Sequence, residues 1–167
     1  MIKIGLLSDT HSYLDKRVFE YFKDCDEIWH AGDIGDPEVL HQLEKFKPVK
    51  AVYGNIDNQT IRSSCPEKRI FSVEGLKVYM IHIGGTAPNY AKGVKSDLLL
   101  HQPGLFICGH SHILKVKSDP NLNNMLYMNP GAAGKHGFHH VKTMLRFDIE
   151  SSEPKNLEVI ELGKRGA

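Results

Sequence analysis

Short apolar segments alternate with amphipathic segments along the first third of the chain. Ile2–Leu7 is apolar and short enough for a strand, and Leu14–Phe22 carries apolar residues at helical spacing. The pattern repeats with a strand over Glu27–Ala31, a helix over Pro37–Phe46 and a strand over Val49–Tyr53. Strands and helices that alternate in this way predict βαβ units and a parallel sheet.

The pattern changes after Asp57, where most apolar runs are short and several alternate with period two. Among these runs, Asn89–Leu100 alone has helical spacing. The second half therefore predicts a second sheet packed face to face against the first, with helices on the outside, in an α/β fold. The predicted strands are Arg69–Val73, Leu76–Ile83, Leu105–Cys108, Ile113–Lys117, Met125–Met128 and Thr143–Ile149.

Length and composition predict one globular domain. The 167 residues are 41% hydrophobic, which is enough for a single core, and the predicted domain spans residues 1–162, with a frayed tail over 163–167. A formal net charge of +1 provides no field that would attract nucleic acid or a membrane, and no nucleic-acid-binding module or membrane-spanning run is evident. Three cysteines, an odd number without CxxC spacing, predict a reducing, cytoplasmic location.

Polar residues follow five of the predicted strands. In open parallel α/β sheets, ligands bind beyond the carboxyl ends of the strands. In this chain, each of the five polar segments at these ends contains Asp, His or Asn, which are residues that bind metal ions. Their mixture of carboxylate, imidazole and amide donors suits Mn²⁺, Fe²⁺, Ni²⁺ or Zn²⁺, and seven donors exceed what one ion uses, so two ions are implied. The candidate ligands are Asp9, His11, Asp33, Asn55, His82, His110 and His112.

Each of these sets has an ordinary structural explanation when it is taken alone. Asp9-Thr10-His11 could cap a helix, Gly32-Asp33 and Gly54-Asn55 could be turns, and His82 could be a hydrogen-bonded core histidine. Gly109-His110-Ser111-His112 is moderately specific by itself. The functional interpretation depends on all five sets occurring in order at predicted strand ends.

In that order, the sets match the pattern D-x-H, G-D-x-x-D, G-N-x-[DE], an isolated His and G-H-x-H, followed by Asn129-Pro130-Gly131. The chain resembles the calcineurin-like metallophosphoesterases, and among them the small YfcE-like phosphodiesterases. The resemblance implies a four-layer αββα sandwich, in which two mixed β-sheets pack face to face between outer helices, and a single metallophosphoesterase domain. It also implies that Asp9, His11 and His112 bind one metal ion, that Asn55, His82 and His110 bind a second, and that Asp33 bridges the two.

The resemblance further implies roles for residues around these ligands. Asp33 and Asn55 are the candidate catalytic residues. Asp36 and Asp57 match acidic positions of the motifs and are interpreted as groups that orient ligands. His30 is not part of these motifs: it is interpreted first as a packed core histidine, and a ligand-orienting role near Asp33 is the alternative.

Two loop segments are further candidates for contact with the substrate. Asn129 and Gly131 are candidate substrate-binding residues at a turn near the site. The roles of His136, His139 and His140 stay open between a substrate entrance and an exposed cationic loop.

The predicted reaction is hydrolysis of a small phosphoester by in-line attack of a metal-bound hydroxide, with Mn²⁺ as the favoured metal. The resemblance favours phosphodiesters. Many larger family members have a His after the Asn, whereas this chain has Ile56, which leaves the general acid unassigned. The alternatives are a metal-dependent phosphomonoesterase and a non-catalytic interaction scaffold like vacuolar protein sorting 29. The oligomeric state stays open, with a homo-oligomer as one alternative.

Overall fold

The computed structural model describes residues 1–166, which form two five-stranded β-sheets, a two-stranded sheet and four α-helices. The strands are β1 (Ile2–Leu7), β2 (Glu27–His30), β3 (Val49–Ala51), β4 (Lys68–Val73), β5 (Leu76–Ile81), β6 (Gly85–Thr86), β7 (Asn89–Tyr90), β8 (Leu105–Ile107), β9 (Leu114–Asp119), β10 (Met125–Pro130), β11 (Val141–Glu150) and β12 (Glu153–Lys164). The helices are α1 (Arg17–Tyr21), α2 (Pro37–Phe46), α3 (Gln59–Ser64) and α4 (Val94–His101).

Both large sheets are mixed, as predicted. The first has the order β12-β11-β1-β2-β3, in which β1, β2 and β3 are parallel and β11 pairs antiparallel with β1 and β12. The second has the order β4-β5-β8-β10-β9, in which β5, β8 and β10 are parallel and the two edge strands are antiparallel. The parallel strands therefore form one side of the first sheet, where β3 is the edge strand, and the centre of the second sheet. Consecutive βαβ segments bring the carboxyl ends of the parallel strands to one edge.

The apolar side chains of β1 point alternately to the two faces of the first sheet, which shows why the sheets pack face to face. Ile4 and Leu6 are fully buried in an apolar cluster with Trp29 of β2 and with Val78 and Ile107 of the second sheet. Successive side chains of a strand point to opposite faces, so Leu7 belongs to a different cluster on the outer face. The inner faces of the two sheets thus form the central layer of the core.

Helices cover both outer faces, which confirms the four-layer αββα sandwich. The outer face of the first sheet packs against Val18 of α1, against Phe22, which directly follows α1, and against Leu43 of α2. Val94 and Leu98 of α4 pack on the outer face of the second sheet, next to aromatic residues of β5 and β8. Three separate apolar clusters therefore join four layers.

Two predicted helices are shorter in the structure. Asn89–Tyr90, at the start of the predicted Asn89–Leu100 helix, forms a strand that pairs with Gly85–Thr86. Helix α4 begins only after Gly93, whose φ of 83° is left-handed and ends the preceding loop. Helix α1 is limited to Arg17–Tyr21, because the Asp15 carboxylate accepts a hydrogen bond from the Arg17 backbone N–H and holds the preceding residues in a turn.

The sequence analysis misses β12. This edge strand is mostly exposed, and its charged residues hide the alternation that indicates a strand. β12 includes Gly163 and Lys164, which belong to the predicted frayed tail of residues 163–167, and the next residue, Arg165, donates a hydrogen bond to the backbone oxygen of His139. Ala167, the last residue of that tail, lies outside the described residues.

Within residues 1–166, no helix is long and apolar enough to cross a membrane.

We expect Leu6→Ala to reduce the free energy of unfolding by about 2–5 kcal/mol, because Leu6 is fully buried between the sheets and truncation leaves a cavity. Urea unfolding monitored by the fluorescence of Trp29, the single tryptophan, measures the change. Leu100→Ala is the control, since Leu100 is 75% exposed and its loss should cost less than about 0.5 kcal/mol. Equal losses in the two variants would contradict the assignment of the central core layer.

Candidate metal centre

The residues that follow β1, β2, β3, β5 and β8 converge at one edge of the sandwich. Two groups of three potential ligands form there, and within each group the ligand atoms all lie within 4.8 Å of one another. The structure thus brings together side chains that the sequence analysis selected as metal ligands. The first group is Asp9, His11 and His112, and the second is Asp33, His82 and His110.

Asp33 lies between the two groups. Its Oδ2 is 3.1 Å from His82 Nε2 in its own group and 3.4 Å from His11 Nε2 in the other group. Asn55 is adjacent to the second group, because its Oδ1 lies 3.1 Å from His110 Nδ1. In the first group, His112 Nε2 lies 3.1 Å from Asp9 Oδ1. One carboxylate therefore faces donors of both groups, as a bridging ligand would.

The backbone of the candidate ligands is unusual. Five of them have positive φ angles between 44° and 69°, in the left-handed region that non-glycine residues seldom adopt. Such conformations cost free energy and persist where the surrounding structure enforces them, most often at functional sites. These residues are Asp9, His11, Asp33, His110 and His112.

Gly109 shows why a glycine precedes the two histidines of the Gly-His-Ser-His segment. A Cβ at this position would lie 2.2 Å from Ser8 Oγ and 2.7 Å from Asp9 Oδ2. The absence of a side chain lets the backbone approach Asp9 closely, and the His110 N–H donates to Asp9 Oδ2 at 3.1 Å. Ser8 Oγ donates to the same oxygen at 2.6 Å.

Asp9 and Asp33 are buried carboxylates. Burial by itself raises the pKa of Asp9, but the imidazoles of His11 and His112 beside it outweigh burial and hold the pKa well below its usual range. The pKa of Asp33 is likewise lowered, since His82 outweighs the effect of burial. Both side chains are therefore anionic acceptors in a largely dehydrated setting.

The tautomer of His82 follows from its partners. Nδ1 lies 2.7 Å from the backbone oxygen of Ala31, which accepts but cannot donate, so Nδ1 carries a proton. Nε2 then faces Asp33. Burial disfavours a charged ring, but this carboxylate outweighs burial and raises the pKa of His82. A proton or a cation is needed between the nitrogen and the carboxylate, and metal-bound histidines are commonly oriented by such a carbonyl contact.

Unpaired polar atoms show that the donor set fits a divalent cation. Within residues 1–166, three atoms of the cluster are buried without a hydrogen-bond partner: Asp9 Oδ1, His11 Nε2 and His82 Nε2. Buried polar atoms are normally paired, and these three lie among the two ligand groups. Carboxylate oxygens and imidazole nitrogens at this spacing match the donors of Mn²⁺, Fe²⁺, Ni²⁺ and Zn²⁺.

His30 supports the cluster from inside the core. Its Nδ1 accepts from the Gly32 N–H at 3.1 Å, which leaves the proton on Nε2, and Nε2 donates to Thr10 Oγ1 at 3.0 Å. Thr10 in turn donates to the backbone oxygen of Ile34. Burial lowers the pKa of His30 to about 4. The neutral ring thus connects the loop that carries Asp9 to the loop after β2.

Asp57 and Asp36 have different surroundings. The Asp57 carboxylate is buried and accepts from the backbone N–H groups of Ile34, Gly35 and Gly54, so it joins the loops that carry Asp33 and Asn55. Asp36, which the sequence analysis assigned to ligand orientation, instead caps α2 by accepting from the Glu38 N–H at 2.9 Å. The helix needs this acceptor because its first N–H groups have no partner within the helix.

Asn129 and Gly131 differ from their predicted role as substrate contacts. Asn129 is buried, and its amide donates to Gly109 O and Ser111 Oγ, both at 3.0 Å. Its Oδ1 accepts from the Gly131 N–H, so that N–H is not offered to a phosphate. The Asn-Pro-Gly turn therefore holds the loop that carries His110 and His112.

The sequence analysis left the loop between β10 and β11 unassigned, and the structure places it over the first group. The His136 ring lies 4.7 Å from the His11 ring and the His139 ring 5.1 Å from the His112 ring, both between centroids. The signal available in the sequence is the clustering of His136, His139 and His140 soon after the Asn-Pro-Gly turn. The structure places His136 and His139 against candidate ligands.

Two cavities meet at Asn55. The first, here called the rim cavity, has a volume of about 280 Å³ and is lined by His11, Asp33, Ile56, His136 and Phe138, among others. The second, here called the Arg62 cavity, has a volume of about 430 Å³. Its walls include His82, Tyr53, Arg62, Glu67 and Lys92. Both cavities thus adjoin candidate ligands, but the Arg62 cavity has several charged side chains in its walls, whereas the rim cavity has aromatic and aliphatic ones.

The family profile of the calcineurin-like phosphoesterase superfamily domain matches residues 2–152. A probable metallophosphoesterase of Methanothermobacter thermautotrophicus is 33% identical over 138 residues, which cover 77% of this chain and 76% of the relative. A phosphodiesterase of Methanocaldococcus jannaschii is 26% identical over 146 residues, which cover 78% of this chain and 83% of the relative.

Solved structures have the same fold. The structure of an archaeal phosphodiesterase matches with a TM-score of 0.78 and 21% identity, covering 96% of this chain and 100% of the other. Wild-type Vps29 of Entamoeba histolytica in complex with Zn²⁺ matches with a TM-score of 0.74 and 16% identity, covering 96% and 98% of the two chains. At these identities the likeness concerns the fold alone.

We expect the stability of the protein to fall by about 2 kcal/mol between pH 7 and pH 5 through His30. The unfolded chain binds a proton near pH 6.5, the ordinary pKa of histidine, whereas the folded chain resists protonation down to about pH 4. His30→Gln removes this contribution, so its unfolding free energy should fall less over that range. Urea unfolding in chelator at both pH values measures the slopes.

His41→Gln is the matched control, because His41 is 62% exposed on α2 and should leave the pH slope unchanged. A slope in His30→Gln as steep as in the wild type would contradict a neutral, buried His30.

Proposed function

Because the chain belongs to the calcineurin-like phosphoesterase superfamily, we propose that it is a phosphodiesterase that uses two divalent transition metal ions. The observation that carries this proposal is the position of the Asp33 carboxylate, which faces a histidine of each ligand group at 3.1 and 3.4 Å. A carboxylate shared by two ligand groups would hold two ions about 3.5–4 Å apart, the spacing of two-metal phosphoester sites.

In this proposal each ligand group holds one ion. Asp9, His11 and His112 hold the first, Asn55, His82 and His110 hold the second, and Asp33 contacts both. When bound, the ions would acidify a water molecule and offset the negative charge of the phosphoryl group. Mn²⁺ is the favoured metal, although the donor set also suits Fe²⁺, Ni²⁺ and Zn²⁺.

The protein's own residues then position the substrate. Asn55 lies where the rim cavity and the Arg62 cavity meet. We assign its Oδ1 to metal binding and its amide N–H groups to donation to a phosphoryl oxygen. Ile56 follows Asn55 and lines the rim cavity, and it supplies no proton to a leaving group. The site therefore favours leaving groups, such as aryl oxides, that depart without protonation.

Two observations support phosphodiesters over monoesters. The Methanocaldococcus jannaschii relative and the archaeal structural neighbour are both named phosphodiesterases. In addition, the two cavities beside Asn55 offer separate space for two ester substituents. A monoester has one substituent and needs only one such space.

The test begins with protein purified without chelator, whose metal content is measured directly. Hydrolysis of bis(p-nitrophenyl) phosphate is then compared with that of p-nitrophenyl phosphate in added Mn²⁺. We expect about two ions per chain and faster hydrolysis of the diester. Asp33→Asn should lose metal as well as more than about 100-fold of the activity, because it removes the anion that both ligand groups share.

Asp36→Asn is the matched control, since Asp36 lies three residues from Asp33 in the same loop but caps α2. Its metal content and activity should stay within about twofold of the wild type, because an asparagine caps a helix as well as an aspartate does. Faster hydrolysis of the monoester would favour the phosphomonoesterase. A metal-free, inactive protein in the presence of Mn²⁺ would favour the scaffold.

A further inference from the structure

Phe138 is an exposed aromatic residue at the mouth of the candidate site. Its side chain is 99% exposed and lines the rim cavity together with Ile56, which is 46% exposed. Large apolar side chains are usually buried, and single exposed ones carry no meaning by themselves. These two share one cavity with His11 and Asp33, so their apolar surface faces the same space as two of the candidate metal ligands.

The loop that carries Phe138 is held in place. At Gly137, φ is 130°, and a Cβ there would lie 2.2 Å from His112 Nδ1, so the backbone packs directly on a candidate ligand. His139 Nε2 donates to Gly134 O at 2.8 Å, and Arg165 Nε donates to His139 O at 2.9 Å. The phenyl ring is thus presented from a loop anchored on both sides, which reduces the entropy lost when a ligand stacks on it.

The walls of the rim cavity suit a planar ring. Phe138 and His136 supply aromatic surfaces, and Ile56 supplies a branched aliphatic wall. The volume of about 280 Å³ is slightly below the range of pockets that hold drug-sized ligands, so the space suits one ring system. The Arg62 cavity, in contrast, is lined by the charged side chains of Arg62, Lys92 and Glu67.

We propose that Phe138 and Ile56 form a subsite for a planar aromatic substituent attached directly to the phosphoryl group of the substrate. This inference rests on the proposed function, because the phosphoryl group at the metal centre places the substituent in the rim cavity. Phe138 is then a specificity-determining residue, and the natural substrates are aryl or heteroaryl phosphoesters. Offset or edge contacts between the ring and Phe138 favour aromatic over alkyl substituents.

Two phosphonates with one substituent each test this inference by binding alone. Phenylphosphonate and ethylphosphonate keep the anionic head group but have a P–C bond that the enzyme does not hydrolyse. Titration calorimetry of the Mn²⁺-loaded protein should show that phenylphosphonate binds about three- to tenfold more tightly. Phe138→Ala should reduce this ratio toward one while leaving the affinity for ethylphosphonate within about twofold, and Phe138→Trp should retain the preference.

Ile113→Ala is the control for general loss of apolar surface. Ile113 follows His112 and is 65% exposed, but it does not line the rim cavity, so its removal should leave the ratio unchanged. Equal affinity of the wild type for both phosphonates, or a preference that survives Phe138→Ala, would overturn the aromatic subsite and leave the phosphodiesterase proposal standing. Failure of both phosphonates to bind a metal-loaded protein that hydrolyses bis(p-nitrophenyl) phosphate would likewise overturn the aromatic subsite alone, whereas the absence of that hydrolysis would overturn the phosphodiesterase proposal.

Discussion

The burial of two carboxylates among imidazoles is the constraint on which the rest of the candidate site depends. Asp9 and Asp33 are almost completely buried, and a carboxylate without compensation in such a setting would cost several kcal/mol. Compensation comes from hydrogen bonds to Asp9 and from imidazoles beside both residues. The remaining unpaired oxygen and nitrogen atoms leave a cluster whose complete pairing needs positive charge from outside the chain.

The surrounding structure maintains this unfavourable arrangement. Left-handed backbone at five candidate ligands and the close approach at Gly109 each require neighbours that prevent relaxation. His30, Asp57 and Asn129 are those neighbours, and each hydrogen-bonds to the loops rather than lying among the ligands. A set of loops that is strained and tied in this way is preorganised, so binding an ion costs little further ordering.

The same reasoning weighs against a purely structural role for the site. Buried carboxylates and unpaired imidazoles lower the free energy of unfolding. They do so in a fold whose first sheet has an extensive apolar cluster on each face. Apolar side chains of similar size in their place would stabilise the fold, whereas metal binding requires the carboxylates and imidazoles. The exposed parts of Phe138 and Ile56 likewise add no stability to the free protein, because apolar surface contributes free energy only when a ligand covers it.

Hydrophobic periodicity and polar strand ends are local properties of the chain, so they were enough to predict most strands and helices, two sheets packed face to face and a set of candidate ligands. The start of α4 was misjudged and β12 was missed, since a left-handed Gly93 and a charged edge strand leave no clear periodic signal. Only the tertiary structure decided which side chains hydrogen-bond to one another and which line a cavity together. Asp36 caps a helix, Asn129 holds a loop and Phe138 lines a cavity with His11 and Asp33; the last two depend on how the fold brings together segments that lie far apart in sequence.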